Sequence, residues 1–223
     1  MASDYDDESE CDEDAPTSPI ESSTLQYALI FNSCAQQTAA DSPHPPHSHR
    51  LKAWEIFKEN VHPVATILHI PSVEPMVLQA FENPLHLSPP VEALLFVIYF
   101  GAINSLTPDD CELQFGSQQT PLLSKFRRGA DSALARSRLM DTDDMLTLQT
   151  FVVYLVVLRP RDPTYSWNTT GLAVRLAQSL GIHRDGSALG LSPFDAEMRR
   201  RLWWGICILD TPASEDHSCS PGL

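Results

Sequence analysis

Apolar residues recur at helical spacing along most of the chain, and prolines that follow hydroxyl side chains mark where one run gives way to the next. The periodicity predicts helices over Arg50–Glu59, Ser72–Glu82, Pro89–Ser105, Pro121–Met140, Asp143–Leu158, Thr164–Leu180 and Pro193–Leu209, with a short helical turn at Pro108–Leu113. Ser88-Pro89, Thr107-Pro108, Thr120-Pro121 and Ser192-Pro193 read as an N-cap followed by proline at the first helical position, where its missing N–H is not needed. Thr107-x-x-Asp110 adds a capping-box pattern. Val152–Leu158, VVYLVVL, is β-branched enough to suggest a strand. The apolar run starting after Asp143 and Asp144 exceeds an ordinary strand of roughly five or six residues, so helix is the expectation. The predicted class is all-α, an irregular multi-helix domain.

Gly171–Asp210 is the best specified stretch. Leu172, Leu176 and Leu180 fall at i, i+4 and i+8 with Ala173 and Ala177 beside them, so one helix face is apolar. Gly181 then suits a left-handed C-cap. In the next helix Ser192 caps, Asp195 sits three residues on, and Phe194, Met198, Leu202, Ile206 and Leu209 form an apolar stripe. Asp195–Arg199 and Glu197–Arg201 are acid-to-base pairs at i, i+4, each worth roughly 0.2–0.5 kcal/mol. Trp203 and Trp204 are consecutive, so they cannot share one helix face. One is expected in the core and the other partly exposed or at an interface.

RLAQSLGIHRDG, then LSPFDAEMRRRLWW and a closing ILD, resemble the middle homology region of fungal-specific transcription factors, of the type called the xylanolytic-activator regulatory domain. The likeness extends back to KAWEIFKENVHPVATILHIPSV from Lys52, so it covers residue 50 or so to the end. It implies an all-α regulatory domain at 50–223, with Arg175, Gly181, His183, Arg184, Arg199, Arg200, Arg201, Leu202, Trp203, Trp204, Asp210 and Ser214 as motif residues of structural or interaction character. Proteins of this type usually carry an upstream zinc binuclear cluster with six cysteine ligands. Such a cluster needs closely spaced thiolates, whereas Cys11, Cys34, Cys111, Cys207 and Cys219 are five and hold no C-x-x-C pair. Zinc is thus expected only in a domain absent here, and no cofactor in this chain. Family members commonly place an arginine where this chain has Thr211 and Pro212, and continue through further helices, so the expectation is the front part of a regulatory domain.

Charge alters the picture only at the N-terminus. The 223 residues carry a net charge of −14, with nine acidic residues and no Lys or Arg between Asp4 and Glu21. Segment 1–49 is rich in Asp, Glu, Ser, Pro and His and cannot bury enough apolar area to offset chain entropy. It is expected to be a disordered tail, with a short helix around Leu25–Phe31, serving as an activation segment or a soluble spacer. Its acidity disfavours contact with nucleic-acid phosphates. The N-terminus lacks the basic and apolar regions of a signal peptide, and the apolar run Ala93–Leu106 is short of the roughly twenty residues a bilayer span needs. Five scattered cysteines suit reduced thiols in the nucleus or cytosol.

Three small constellations invite a chemical reading. His44, His47 and His49 contain metal-ligand types, but their surroundings in sequence hold prolines rather than acidic or thiol partners. His183-Arg184-Asp185 matches a catalytic-loop triplet without the glycine loop and partner motifs such a loop works with, and the resemblance makes it an interhelix turn. Ser214, Glu215, Asp216 and His217 are triad types in adjacent positions, whereas triads converge from distant ones. The expectation is a nuclear transcription regulator of fungal metabolic or biosynthetic genes, not an enzyme. It would contact other regulator chains or coregulators, as homo- or hetero-oligomers, and reach DNA only through a domain missing here, without membrane association. The alternatives are a non-DNA-binding module that binds or competes with a full-length regulator, in nucleus or cytoplasm, and, less favoured, an all-α ligand-binding protein or enzyme. Leu176→Asp or Leu202→Asp should unfold the helical pair, because an unpaired buried carboxylate costs several kcal/mol. Unchanged circular dichroism and melting in both variants would refute these helix faces.

Overall fold

A computed structural model describes residues 44–84 and 86–216, with side chains as far as Thr211. Among the described residues the chain forms eight α-helices and no strand. They are α1 His47–Ile56, α2 Ile70–Glu82, α3 Pro89–Ser105, α4 Pro108–Phe115, α5 Gln119–Arg136, α6 Met145–Leu158, α7 Pro163–Ser179 and α8 Pro193–Asp216. A single π-helical turn, Phe57–Val61, extends α1, and 3₁₀ turns lie at Leu139–Asp141 and Gly186–Leu189.

The core is built around α3, whose residues Ala93 to Ile103 are buried on every side. Such a helix needs a continuous apolar run rather than a stripe, which is what the sequence provides. Helices α5, α6 and α1 cover it. The neighbouring α6 is almost as fully buried, from Thr147 to Leu158, so VVYLVVL is a core helix. β-branched residues tolerate a helix when both sides are packed, because burial of each side chain, worth roughly 1.5–3 kcal/mol, outweighs a propensity loss of a few tenths. Asp144 starts α6 by accepting from the backbone N–H groups of Leu146 and Thr147 at 3.2 and 3.0 Å.

Several boundaries differ from expectation for local reasons. Thr107 caps α4 as the pattern predicts, accepting from the Asp110 N–H at 3.2 Å. Ser88 holds the N-cap position of α3 without a side-chain cap bond. Thr120 is not a cap, because α5 already begins at Gln119. The Gln119 amide instead donates to the carbonyls of Ile103 and Leu106, at 3.0 and 2.7 Å, and closes the end of α3. Helix α5 stops at Arg136 rather than Met140, since Arg138 takes a left-handed conformation with φ 53°.

The folded part also reaches back past residue 50, into the segment expected to be tail. His44 is buried, its ring stacked on Phe96 with centroids 4.8 Å apart, and α1 begins at His47. Arg50 fastens this entry by donating to the Pro45 carbonyl at 2.7 Å and to the Phe81 carbonyl. The His44 ring and Pro45, both buried, thus supply the burial that composition alone did not suggest. Residues 1–43, including the expected helix at Leu25–Phe31, lie outside the described residues.

Two buried polar groups respond to pH in opposite senses. Burial pushes the Asp131 carboxyl up to about 6, while it accepts a 2.6 Å hydrogen bond from the Tyr154 hydroxyl. Burial lowers His44 from 6.5 to about 4, against the opposing charge of Glu92 and reinforced by Arg50, Lys125 and Arg136. A depressed histidine favours the fold in its neutral form, so its contribution is complete above pH 6.5 and is lost as pH falls towards 4. A shift of this size corresponds to about 3 kcal/mol. His44→Phe keeps the stacked ring without the titration, so its melting temperature should fall less between pH 6.5 and 4 than that of the unsubstituted protein. Parallel acid melting curves for the two would show that His44 does not carry this dependence.

Candidate functional site

The His-Arg-Asp turn and the arginine-tryptophan run meet where α8 folds back on α7. Helix α7 ends in a Schellman motif: Gly181 takes φ 67°, its N–H donates to the Gln178 carbonyl at 3.0 Å, and the Ile182 N–H donates to the Ala177 carbonyl at 2.9 Å. Ala173, Val174, Leu176 and Ala177 form the buried face, with Leu172 and Leu180 at its edge. Arg175 points away and is exposed. Ser192 caps α8 by accepting from the Asp195 N–H at 3.1 Å and donating to the Asp195 carboxylate at 2.6 Å.

The three arginines have separate tasks. Arg199 donates to the Leu180 carbonyl at 3.2 Å, placing positive charge at the C-terminus of α7. The expected Asp195–Arg199 pair is therefore not made, since Asp195 is engaged with Ser192. Arg200 bridges Glu197 at 2.8 Å and Asp185 at 3.2 Å, tying α8 to the interhelix turn. Arg201 pairs with Glu197 at 3.1 Å, as the spacing predicts. These partners hold both carboxyls below the usual range, Asp185 chiefly through the Ser187 N–H and then Arg200, and Glu197 through Arg201 and then Arg200. Asp185 also starts the 3₁₀ turn by accepting from Ser187 at 2.9 Å, so the triplet is placed in a turn; His183 and Arg184 are exposed.

Leu202 is fully buried, and Met198, Ile206 and Leu209 continue its face. Phe194, expected in that stripe, is half-exposed instead, its ring set edge-on to His69 at 5.1 Å. The tryptophans divide: Trp203 packs against the core edge beside His183, while Trp204 is 60% exposed. Asp210 is buried. Ser214, Glu215 and Asp216 lie in the last turns of α8 with side chains outside the described residues, as His217 is entirely.

Beneath α8 runs the segment His62–His69, which belonged to no predicted helix. Its Ile67 is clamped, its carbonyl accepting from the Gln149 amide at 3.3 Å and its side chain lying under Gly205. A Cβ at Gly205 would come within 2.9 Å of the Ile67 side chain, so this glycine permits the close approach of α8. On one side of that crossing lies a cleft of about 410 Å³ with a floor of Ala65, Ile67, Val156 and Leu209. Its rim carries Arg159, Arg200 and Arg201 against the single carboxylate of Glu197. Val64, Trp204 and Ile208 stand over it with exposures of 75, 60 and 67%. A second, more open cleft of about 320 Å³ lies on the other side, among His69, Gln149, Phe194 and Arg199.

Most other titratable groups lie apart from this surface; His62 is the exception, lowered by burial and then by the Arg201 charge. His44, His47 and His49 go to three different neighbours: Phe96, Glu82 and Phe115. Asp131 and Tyr154 are enclosed between α5 and α6, and neither cleft reaches them. Burial raises both the Cys111 and Cys207 thiols, the direction of an unreactive cysteine. Among the described residues the geometry offers an apolar, arginine-edged cleft rather than a set of converging acids and bases.

The family described as "Fungal specific transcription factor domain" matches residues 54–221. The chain belongs to this family. It is 38% identical over 193 residues to the aurofusarin cluster transcription factor aurR2 of Gibberella zeae, covering 86% of this chain and 29% of that protein. It is also 38% identical over 188 residues to the pyriculol/pyriculariol biosynthesis cluster transcription factor 1 of Pyricularia oryzae, covering 82% of this chain and 25% of that protein. The C6 finger domain transcription factor adaR of Aspergillus niger is 35% identical over 170 residues, 75% of this chain and 22% of its own. The chain thus spans between a fifth and a third of the length of these relatives. No solved structure matches it. The run Arg199–Trp204 lies on the helix that bounds both clefts. Its immediate partners Val64, Ile67, Arg159 and Ile208 escaped the sequence reading because they come from three separate segments. The one available signal was VATIL, an apolar run between two histidines outside any helix.

Gly205→Val should destabilise the fold by the roughly 1–3 kcal/mol typical of overpacking, seen as a lower melting temperature, and Ile67→Ala in the same chain should recover part of it. Additive losses in thermal melts of the single and double variants would show that the two do not meet.

Proposed function

We propose that this chain is the regulatory part of a fungal transcription regulator controlling a biosynthetic gene set in the nucleus, and that it works through protein contacts at the Trp204 cleft. Membership of the family supports the regulatory role, and the relatives named for biosynthetic clusters support the kind of gene controlled. The observation that carries the contact site is the exposure of Val64, Trp204 and Ile208 together over an arginine-edged cleft. Apolar side chains grouped in this way and rimmed by charge are the mark of a protein-binding patch. DNA recognition through a six-cysteine zinc cluster is not supplied by these residues, which contain five scattered cysteines. We assign the chain no catalytic step.

A second reading has the same surface binding a full-length regulator, or competing with one for partners. The arginine edge favours an acidic counterpart under either reading. Introducing Trp204→Ala with Ile208→Ser into the native gene should lower transcripts of a contiguous biosynthetic gene set about tenfold or more, at unchanged protein level, measured by RNA sequencing. Raised transcripts would favour the competing module. An unaltered transcript profile would overturn the contact role of the cleft.

A further inference from the structure

We infer that the cleft among His69, Gln149, Phe194 and Arg199 binds a small, uncharged aromatic molecule that carries a hydroxyl and a carbonyl group. The site is separate from the Trp204 cleft and does not rest on that cleft being a contact surface.

The apolar part of the lining favours a flat ring. Met145 and Met198 each bring a thioether, and Phe194 brings a half-exposed ring set edge-on to His69 at 5.1 Å. Thioether sulfurs and aromatic edges both make favourable contacts with an aromatic guest. Val73 and Leu191 complete the apolar lining. The volume of about 320 Å³ lies at the lower end of the roughly 300–1,000 Å³ typical of small-ligand sites, which suits one or two fused rings.

The polar part calls for one donor and one acceptor on that ring. Gln149 is only 6% exposed, and its amide nitrogen donates to the Ile67 carbonyl at 3.3 Å. Its amide oxygen accepts from no described group, yet it is not among the unpaired side-chain atoms sealed inside the fold, which belong to His44, His62, Tyr99 and Thr150. For a side chain so deeply buried, the opening is the cleft it lines. A hydroxyl on the guest satisfies this oxygen by displacing water from apolar surroundings. Arg199 supplies the donors: one of its five N–H groups goes to the Leu180 carbonyl at 3.2 Å, and no described carboxylate pairs with it. A carbonyl oxygen on the guest is the matching acceptor.

Charge decides against an ionic guest. The Asp195 carboxylate lines the same cleft, held by the Ser192 hydroxyl at 2.6 Å, so an anion loses to Asp195 what it gains from Arg199. Ser72, 2.8 Å from Nδ1 of His69, fixes that ring at the edge of the site. Gln149 also links the site to the rest of the surface, because the Ile67 it clamps forms part of the floor of the Trp204 cleft.

Nuclear magnetic resonance of carbon-13-labelled methionine methyls in the purified full chain tests this, with 6-acetyl-2-naphthol as the probe. The Met145 and Met198 signals should shift saturably, with half-saturation at or below about 1 mM, while Met76 and Met140, outside the cleft, stay in place. Removing the hydroxyl, as in 2-acetylnaphthalene, should weaken binding about tenfold. The charged analogue 6-hydroxy-2-naphthoate should bind no more tightly than the ketone. Phe194→Ser should weaken binding about fivefold, the worth of an aromatic contact. Should that variant unfold, Phe194→Leu, which keeps an apolar side chain without the ring, decides instead. Trp204→Ala should leave the affinity unchanged. Methyl signals that stay put or shift without saturating, an affinity indifferent to the hydroxyl or to the Phe194 ring, or tighter binding of the naphthoate would each overturn the proposal. Loss of binding in Trp204→Ala would also overturn it, by moving the probe to the other cleft. Neither a partner protein nor a transcript is read, so failure here is separable from failure of the regulatory role.

Discussion

The burial of α3 is the constraint from which the remaining arrangement follows. A helix satisfies its own backbone hydrogen bonds, so it can lie entirely inside a protein if side chains cover it on all sides. From Ala93 to Ile103 no residue of α3 keeps appreciable contact with water. Three helices are drawn onto it, and one of them, α6, becomes nearly as dry and demands its own cover from α7 and α8. Gly129 shows how tight this is, since a Cβ there would stand 2.5 Å from the Phe96 ring. Truncating any of these core leucines or phenylalanines removes roughly 2–5 kcal/mol, comparable to the whole margin of an ordinary domain. The outer helices are thus placed by the needs of the inner two.

The arginine-tryptophan run divides between holding the fold and presenting a surface. Arg199 completes the end of α7, and Arg200 pins the interhelix turn through Asp185. Leu202 and Ile206 seat the helix. What remains for contact is the opposite face, where Trp204 and Ile208 lie one helical turn apart with an arginine edge beside them. One helix therefore serves both purposes, because residues three or four apart share a face and neighbours do not.

Most helices were legible in the sequence because their signals are local. Periodicity and caps placed the cores of α3, α6, α7 and α8 within a few residues, and Gly181 and Ser192 marked the turn between the last two. Thr120 misled, since its neighbour Gln119 is recruited by the open carbonyls of α3, a tertiary demand no local pattern reveals. His44 misled for a similar reason: a single ring finds a slot on Phe96 within a segment of otherwise solvated composition. Phe194 sits on the predicted stripe but at the helix start, where no layer covers it. The cleft was invisible because its floor, wall and rim come from segments far apart in the chain. Only Trp204, through its conflict with Trp203, announced that something there faces outwards.

The single wide turn at Phe57–Val61 has a consequence beyond its own five residues. Its signature, the His62 N–H reaching the Phe57 carbonyl at 2.9 Å, is what an α-helix shows when one residue more than the regular count is accommodated. Phe57 and Val61 both stay on the core, and the chain leaves the helix in turns immediately after them. In those turns Ala65 and Ile67 are buried, Ile67 under Gly205 of α8, while Val64 is exposed. The segment that floors the cleft therefore leaves α1 through a counting irregularity, so the cleft depends on a turn that does not line it. A length change of one residue in α1 could remodel the cleft while every side chain in its wall stayed the same.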